Sequence, residues 1–372
     1  MTGRLLPGTT LCVPAWNATT FLAETLEAVA RQQVPGLRVL VSIDGADAGT
    51  AAVCDAFLGD ARFARIVQPR RLGWVGNTNA LIEAVETEHV AIMPHDDLPA
   101  DDWLVSLHAA LAADPDAVGA YADLEAFGTS EFTFAQPEIV GPGLARRLET
   151  MLHQCACVAF RGLFRLRPGQ PRPLLPAGLP GDIAADTAWL MELACRGALR
   201  RVPRILVRKR YHDRNTHGAW WSLPPETDFA AGIAVLDRMA RRASHGLPGG
   251  RVPVRLVAAA ALLRLLDCAD PWPFLRAAPM ARRVAAWLGT DGLTGLLPDA
   301  GDVLACPEAV ALRACLAEPA CAPRLAEIAD GLRGSPWHGA LGVLARLATE
   351  VAAAVPDGAV SDRAGGLPGS RP

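Results

Sequence analysis

Near the N-terminus, apolar runs end repeatedly in short polar clusters whose residue types could do chemistry. These clusters are Pro14-Ala15-Trp16-Asn17, Asp44-Gly45-Ala46-Asp47, Arg70-Arg71-Leu72-Gly73 and Pro94-His95-Asp96-Asp97. One such ending carries little information. All of them on one edge of one sheet would line a crevice with an indole, a lone carboxylate, guanidinium groups and a carboxylate pair. An indole can stack on a nucleobase. An ionised carboxylate accepts from an imide or a hydroxyl. Guanidinium groups hold phosphate oxygens, and carboxylates suit a hard divalent cation. A second group lies further on, with Asp182 and Asp186 opening a helical pattern and Arg208-Lys209-Arg210-Tyr211-His212 closing a short apolar run.

The elements that must position these residues follow from hydrophobic periodicity. Strands are predicted over 9–13, 38–43, 64–67, 89–93 and 117–121, and helices over 19–33, 50–58, 78–85 and 101–111. Phe21, Leu22, Leu26 and Val29 share one face of the first helix, and Asp101 is the expected cap of the last. Such alternation predicts an α/β fold with a mostly parallel central sheet flanked by helices, whose ligands bind at the carboxyl ends of its strands. Residues 168–181 are dense in Pro and Gly and read as a loop. A helix over 183–196, closed by Gly197, and a strand over 202–208 follow.

From about residue 225 the sequence turns to Ala, Leu and Arg with helical spacing. The organisation expected is therefore a nucleotide-binding and catalytic domain over 1–224, a helical C-terminal region over 225–355 and a disordered tail over 356–372. The helical appendage offers no catalytic constellation and could mediate self-association.

Composition narrows the classes. The formal net charge of -3 argues against a nucleic-acid binder acting through bulk positive charge. Lys209 is the only lysine, which reads as compositional bias. The cysteines are scattered without framework spacing, as expected for thiols in a reducing compartment, and Cys155 and Cys157 do not have the usual zinc spacing. No apolar stretch is long enough to span a bilayer and no signal peptide is visible, so a cytoplasmic protein is expected.

The segments VPAWNATTFLAETLEAV, VLVSIDGADAGT, RLGWVGNTNALIEAV and AIMPHDDLPADDWL resemble the successive blocks of family 2 glycosyltransferases of the GT-A fold. AADTAWLMELACRGALRRVPRILVRKRYH resembles that family's catalytic-acid segment and its following arginine-histidine motif. The resemblance covers residues 9 to 217, and the order and spacing of the blocks carry it.

The resemblance implies roles. Pro14, Trp16 and Asn17 would lie by the base, with Asn17 an equally good helix cap. Asp44 would accept a hydrogen bond from uracil or ribose, although Ile43 replaces the first member of the family's acidic pair. Gly73, Asn79 and His95 join the nucleotide-binding set; Asn79 could equally cap a helix. Asp96 matches the last Asp of the DxD signature, with Pro94 in place of the first, and His212 matches a histidine that completes the metal site or meets the diphosphate. The implied cofactor is Mn2+ or Mg2+. Arg208, Lys209 and Arg210 could hold diphosphate oxygens. Asp186 matches the catalytic base, with Ala185 in place of the preceding Glu and Asp182 a nearby competitor. Trp220 and Trp221 suit core packing or an acceptor sugar.

The resulting expectation is an inverting, metal-assisted, hexosyl-type glycosyltransferase. Its donor is a nucleoside-diphosphate sugar, with uridine favoured, and its acceptor an unknown hydroxyl compound. The alternatives are a catalytically degenerate binder of the same fold and a nucleotidyltransferase. The glycine-rich basic loop of the latter is missing after the first strand.

Overall fold

Runs of β-branched and aliphatic residues buried on both faces build the centre of the molecule. In the computed structural model, β1 (Leu6–Ala15), β2 (Leu37–Ile43), β3 (Phe63–Val67) and β4 (Thr87–Ile92) form a parallel set in the order β3-β2-β1-β4. Leu11, Cys12 and Val13 of β1 and Val90, Ala91 and Ile92 of β4 are wholly buried, as a parallel sheet covered on both faces requires. The structure describes residues 5–136, 138–140, 158–216 and 218, with isolated positions 235, 238, 239, 242, 323, 326 and 349. Cys155, Cys157, Trp220 and Trp221 lie outside the described residues, as do the tail and nearly all of the helical region expected over 225–355.

The helices are α1 (Leu22–Ala30), α2 (Ala48–Asp55), α3 (Gly73–Ala84) and α4 (Trp103–Ala113). α1 buries Leu22, Leu26 and Val29, the face its periodicity predicts. α3 packs on β1 and β2. It starts five residues before its predicted position, at Gly73, whose φ of +77° a side chain would resist. α4 is not capped by Asp101; that carboxylate instead pairs with Arg31 at 2.7 Å.

The second half of the sheet is mixed. β5 (Leu98–Pro99), β6 (Gly119–Gly128), β7 (Phe132–Phe134), β8 (Gly162–Arg165) and β9 (Leu199–Tyr211) continue it in the order β4-β8-β6-β9-β5, with β7 on β6. β8 is antiparallel to both β4 and β6, whereas β6 and β9 are parallel. β6 and β9 therefore run in the same direction as β1 to β4, and the ends of all six strands share one edge. The parallel order expected holds from β3 to β4 and again between β6 and β9, and β8 is the antiparallel joint between those two sets.

α5 (Ala185–Arg196) lies over this joint. Trp189 is fully buried, its ring 4.7 Å from Phe164 and 5.8 Å from Phe160 in edge-on geometry. Its indole N–H donates to the Pro173 carbonyl, which satisfies the buried polar group. Among the described residues Cys12, Cys54 and Cys195 are free thiols, and no helix is long and apolar enough to cross a membrane.

Candidate functional site

The chain leaves β1 in one direction to β2 and β3, then returns on the other side as β4. This reversal opens a crevice between the ends of β1 and β4, the usual place for a ligand in such a sheet. Trp16 stands there, 45% exposed, with the Arg71 guanidinium 3.5 Å from its ring centroid. The ring is thus an oriented plate with a cation on one face. Across the crevice His95 Nδ1 meets the Pro14 carbonyl oxygen at 3.2 Å, which ties the β4 loop to the β1 loop. Asn17 does not cap α1, whose N-cap is Phe21. Its backbone is left-handed, with φ of +48°, and its N–H donates to Asp47 Oδ2 at 2.9 Å. Asp47, unassigned from sequence, also caps α2 through Thr50. A capping signature three residues long was present to reveal it.

Asp44 is buried at the end of β2, 4% exposed. Its two oxygens accept the backbone N–H groups of Leu72 at 2.6 Å and Gly73 at 3.0 Å. It therefore fixes the start of α3 relative to β2. Each oxygen keeps a second lone pair for a ligand. Asn79 lies within α3, and both ends of its amide bind the Leu175 backbone, at 2.9 Å and 2.7 Å. Its side chain clamps the returning loop to α3.

At the end of β4 the neighbouring carboxylates part company. Asp97 is buried, paired with the Arg161 guanidinium and with the backbone N–H of Arg210 at 2.9 Å. Burial raises its pKa against the pull of Arg161. Asp96 turns the other way. Its Oδ2 meets His212 Nε2 at 2.9 Å and accepts from Asn215 Nδ2 at 3.1 Å. Burial alone would raise the Asp96 pKa, but the His212 hydrogen bond, then the charges of His95 and Arg161, hold it down at about 2. Asp96 Oδ1 has no partner among the described residues.

His212 is fixed through its other nitrogen as well. His212 Nδ1 accepts the backbone N–H of Arg214 at 3.2 Å. With Nδ1 accepting, Nε2 is the nitrogen that donates to Asp96. A metal-bound imidazole has the reverse arrangement, with its outer nitrogen donating. His212 thus orients the carboxylate, and Asp96 Oδ1 is the atom left to face a cation. Among the described residues no cluster of His, Cys, Asp and Glu makes a complete metal cage. One carboxylate with phosphate oxygens and water is nevertheless a common way to hold Mg2+. The donor set fits a cation that enters with a diphosphate.

Strand alternation separates the basic residues of β9. Arg208 pairs with Glu125 at 3.1 Å and lies over Phe127. Arg210 also lies over Phe127 and is spent on Glu24 and the Asp96 carbonyl. Both guanidinium groups are thus engaged with carboxylates of the chain itself. Lys209 points to the opposite face, its Nζ 4.8 Å from the centroid of the Tyr211 ring. Burial and Arg161 lower its pKa to about 8, against the carboxylates of Asp97, Asp186 and Asp96, which raise it. Asp96 and Asp186 thus act on one ammonium group, from β4 and α5 respectively.

Asp186 lies half-buried in the first turn of α5, one residue after the fully buried Ala185. The backbone approaching it is unusual. Gly181, Asp182 and Ala184 have φ of +62°, +53° and +50°. Asp182 does not cap α5, whose N-cap is Ala184. Asp182 Oδ2 instead lies 3.7 Å from the point a Cβ on Gly73 would occupy. Asp44 thus holds Gly73, Asp182 lies beside Gly73, and Asp186 follows four residues later in the first turn of α5.

Residues 10–165 match the family model described as Glycosyl transferase family 2. The fold is similar to that of S. aureus TarS 1-349 in complex with UDP-GlcNAc, with a TM-score of 0.58 and 14% identity over 93% of this chain and 90% of that one. For S. aureus TarS 1-349 alone the TM-score is 0.56, with the same identity and coverage. The longer S. aureus TarS structure gives 0.53 at 15% identity, covering 82% of this chain and 53% of that one. At these identities the likeness is one of fold. No curated protein matches the sequence.

Proposed function

We propose, from the match of residues 10–165 to the glycosyl transferase family 2 model, that the chain moves a hexose from a nucleoside-diphosphate sugar to an acceptor hydroxyl with inversion. The observation that carries this reading is Asp96, part-buried after β4 with one oxygen held by His212 and Asn215, at the strand edge that also holds Asp44. The base stacks on Trp16 beside Pro14, Asn17 and His95, and Asp44 meets the uracil or ribose while holding Gly73 in place. A uridine donor is favoured by the likeness to a fold that carries UDP-GlcNAc in S. aureus TarS 1-349.

Mn2+ or Mg2+ would be held by Asp96 and the donor diphosphate, offsetting the charge that builds on the departing nucleotide. Asp96 stays ionised for this task because His212 and Asn215 hold one of its oxygens. Asp186 takes the proton from the acceptor hydroxyl as that oxygen attacks the anomeric carbon. The bond from the anomeric carbon to the diphosphate oxygen breaks in the same displacement. Lys209 adds positive charge beside both carboxylates.

The purified chain, given Mn2+ and a panel of nucleotide sugars, is expected to release nucleoside diphosphate. Asp186→Asn should slow release by about 100- to 10,000-fold while leaving donor affinity intact. Donor binding with no release by the unaltered chain would instead identify a non-catalytic binder. That second reading draws on Ala185, which is fully buried where the family carries a carboxylate.

A further inference from the structure

Asp182 occupies a place the reaction described above does not use. It is partly buried, and burial alone raises its pKa; its carboxylate accepts no hydrogen bond among the described residues. Its backbone is left-handed, a conformation that costs a non-glycine residue stability unless the surrounding fold imposes it. The fold imposes it here between Gly181 and Ala184, which are left-handed as well. The result is a carboxylate aimed across the cleft at Gly73, whose N–H is held by Asp44. Four residues later the same chain delivers Asp186.

We propose that Asp182 is a specificity-determining residue that binds hydroxyl groups of the donor sugar. This assignment rests on the donor reading given above. In that reading the sugar ring must lie between the diphosphate and Asp186, and Asp182 lies beside Gly73, four residues before Asp186. An ionised carboxylate is acceptor-only and can take a hydrogen bond on each oxygen, which matches a pair of sugar hydroxyls. It repels a diphosphate, so the phosphates are not its ligand. Asp186 holds the place in the first turn of α5 from which the acceptor is deprotonated, so Asp182 acts on the donor.

Titration calorimetry in the presence of Mn2+ separates the possibilities. The probes are UDP and GDP alone, and UDP-glucose, UDP-N-acetylglucosamine and GDP-mannose. Asp182→Asn and Asp182→Gly both tolerate a left-handed backbone, so each should fold, and the glycine variant should melt no lower than the parent. Both are expected to bind free nucleotide as the parent does. The tightest nucleotide sugar should weaken about tenfold or more, as for a lost hydrogen bond to a charged group. In turnover the donor KM should rise while kcat holds. Equal weakening of nucleotide and nucleotide sugar, or no weakening of either, overturns the assignment. A collapse of kcat with unchanged donor affinity also overturns it and makes Asp182 the base. If the parent chain binds no nucleotide at all, the donor reading fails and this assignment fails with it.

Discussion

The side chain that decides how Asp96 works is His212, and the decision is made by one backbone N–H. Because Arg214 donates to His212 Nδ1, the imidazole offers a proton to Asp96 at Nε2 and has no lone pair there for a cation. Mn2+ bound with UDP should therefore show no directly coordinated imidazole nitrogen by pulsed EPR. His212→Ala should still lower activity about 10- to 100-fold, the usual cost of losing a group that orients a metal-binding carboxylate. A clear nitrogen coupling that disappears in His212→Ala would restore His212 as a ligand. The sequence pointed to His212 as a partner of Asp96, and the two do meet. It could not supply the tautomer, which depends on a turn after β9. The clamp at Asn79 was hidden for a similar reason: its partner Leu175 is far away along the chain, and no local pattern announces that return.

α5 is the element that presents Asp186, and its anchor is aromatic. Trp189 is wholly buried against Phe160 and Phe164, with its N–H bonded to Pro173. Trp189→Ala should destabilise the chain by about 3–5 kcal/mol, read as a lower denaturant midpoint. An unchanged midpoint would show that α5 is held by something other than this cluster. Most of this architecture was legible, because alternation of apolar runs with helical spacing demanded parallel strands whose ends share an edge. The start of α3 was not, because no capping side chain precedes it and Asp44 supplies the hydrogen bonds from a distant strand. Nor was the antiparallel joint at β8, which is a short apolar run with no hairpin signal.

Across the described residues, acid sensitivity should come from two half-buried imidazoles, on β4 and α4. His108 lies 5.0 Å from His89, ring to ring, and its Nε2 meets Thr9 Oγ1 at 2.8 Å. Burial, then the charge of His89, lowers the His108 pKa from 6.5 to about 4. Between those values the unfolded chain binds the proton and the folded chain does not. Stability from this site is thus fully present above pH 6.5 and is lost as the pH falls toward 4. His89 is lowered by burial too and acts in the same direction. The melting temperature should fall between pH 7 and pH 5, and His108→Gln should flatten that slope. An equally steep slope in the variant would place the acid sensitivity elsewhere. Asp96 contributes nothing to that slope, because its pKa of about 2 keeps it ionised throughout.

The most direct measurement is a crystal structure of the full chain with UDP-N-acetylglucosamine and Mn2+. The account predicts the uracil on Trp16, a manganese anomalous peak beside Asp96, and the sugar between Gly73 and Asp186. A nucleotide bound away from the β1–β4 crevice would contradict it, as would a sugar beyond the reach of Asp186.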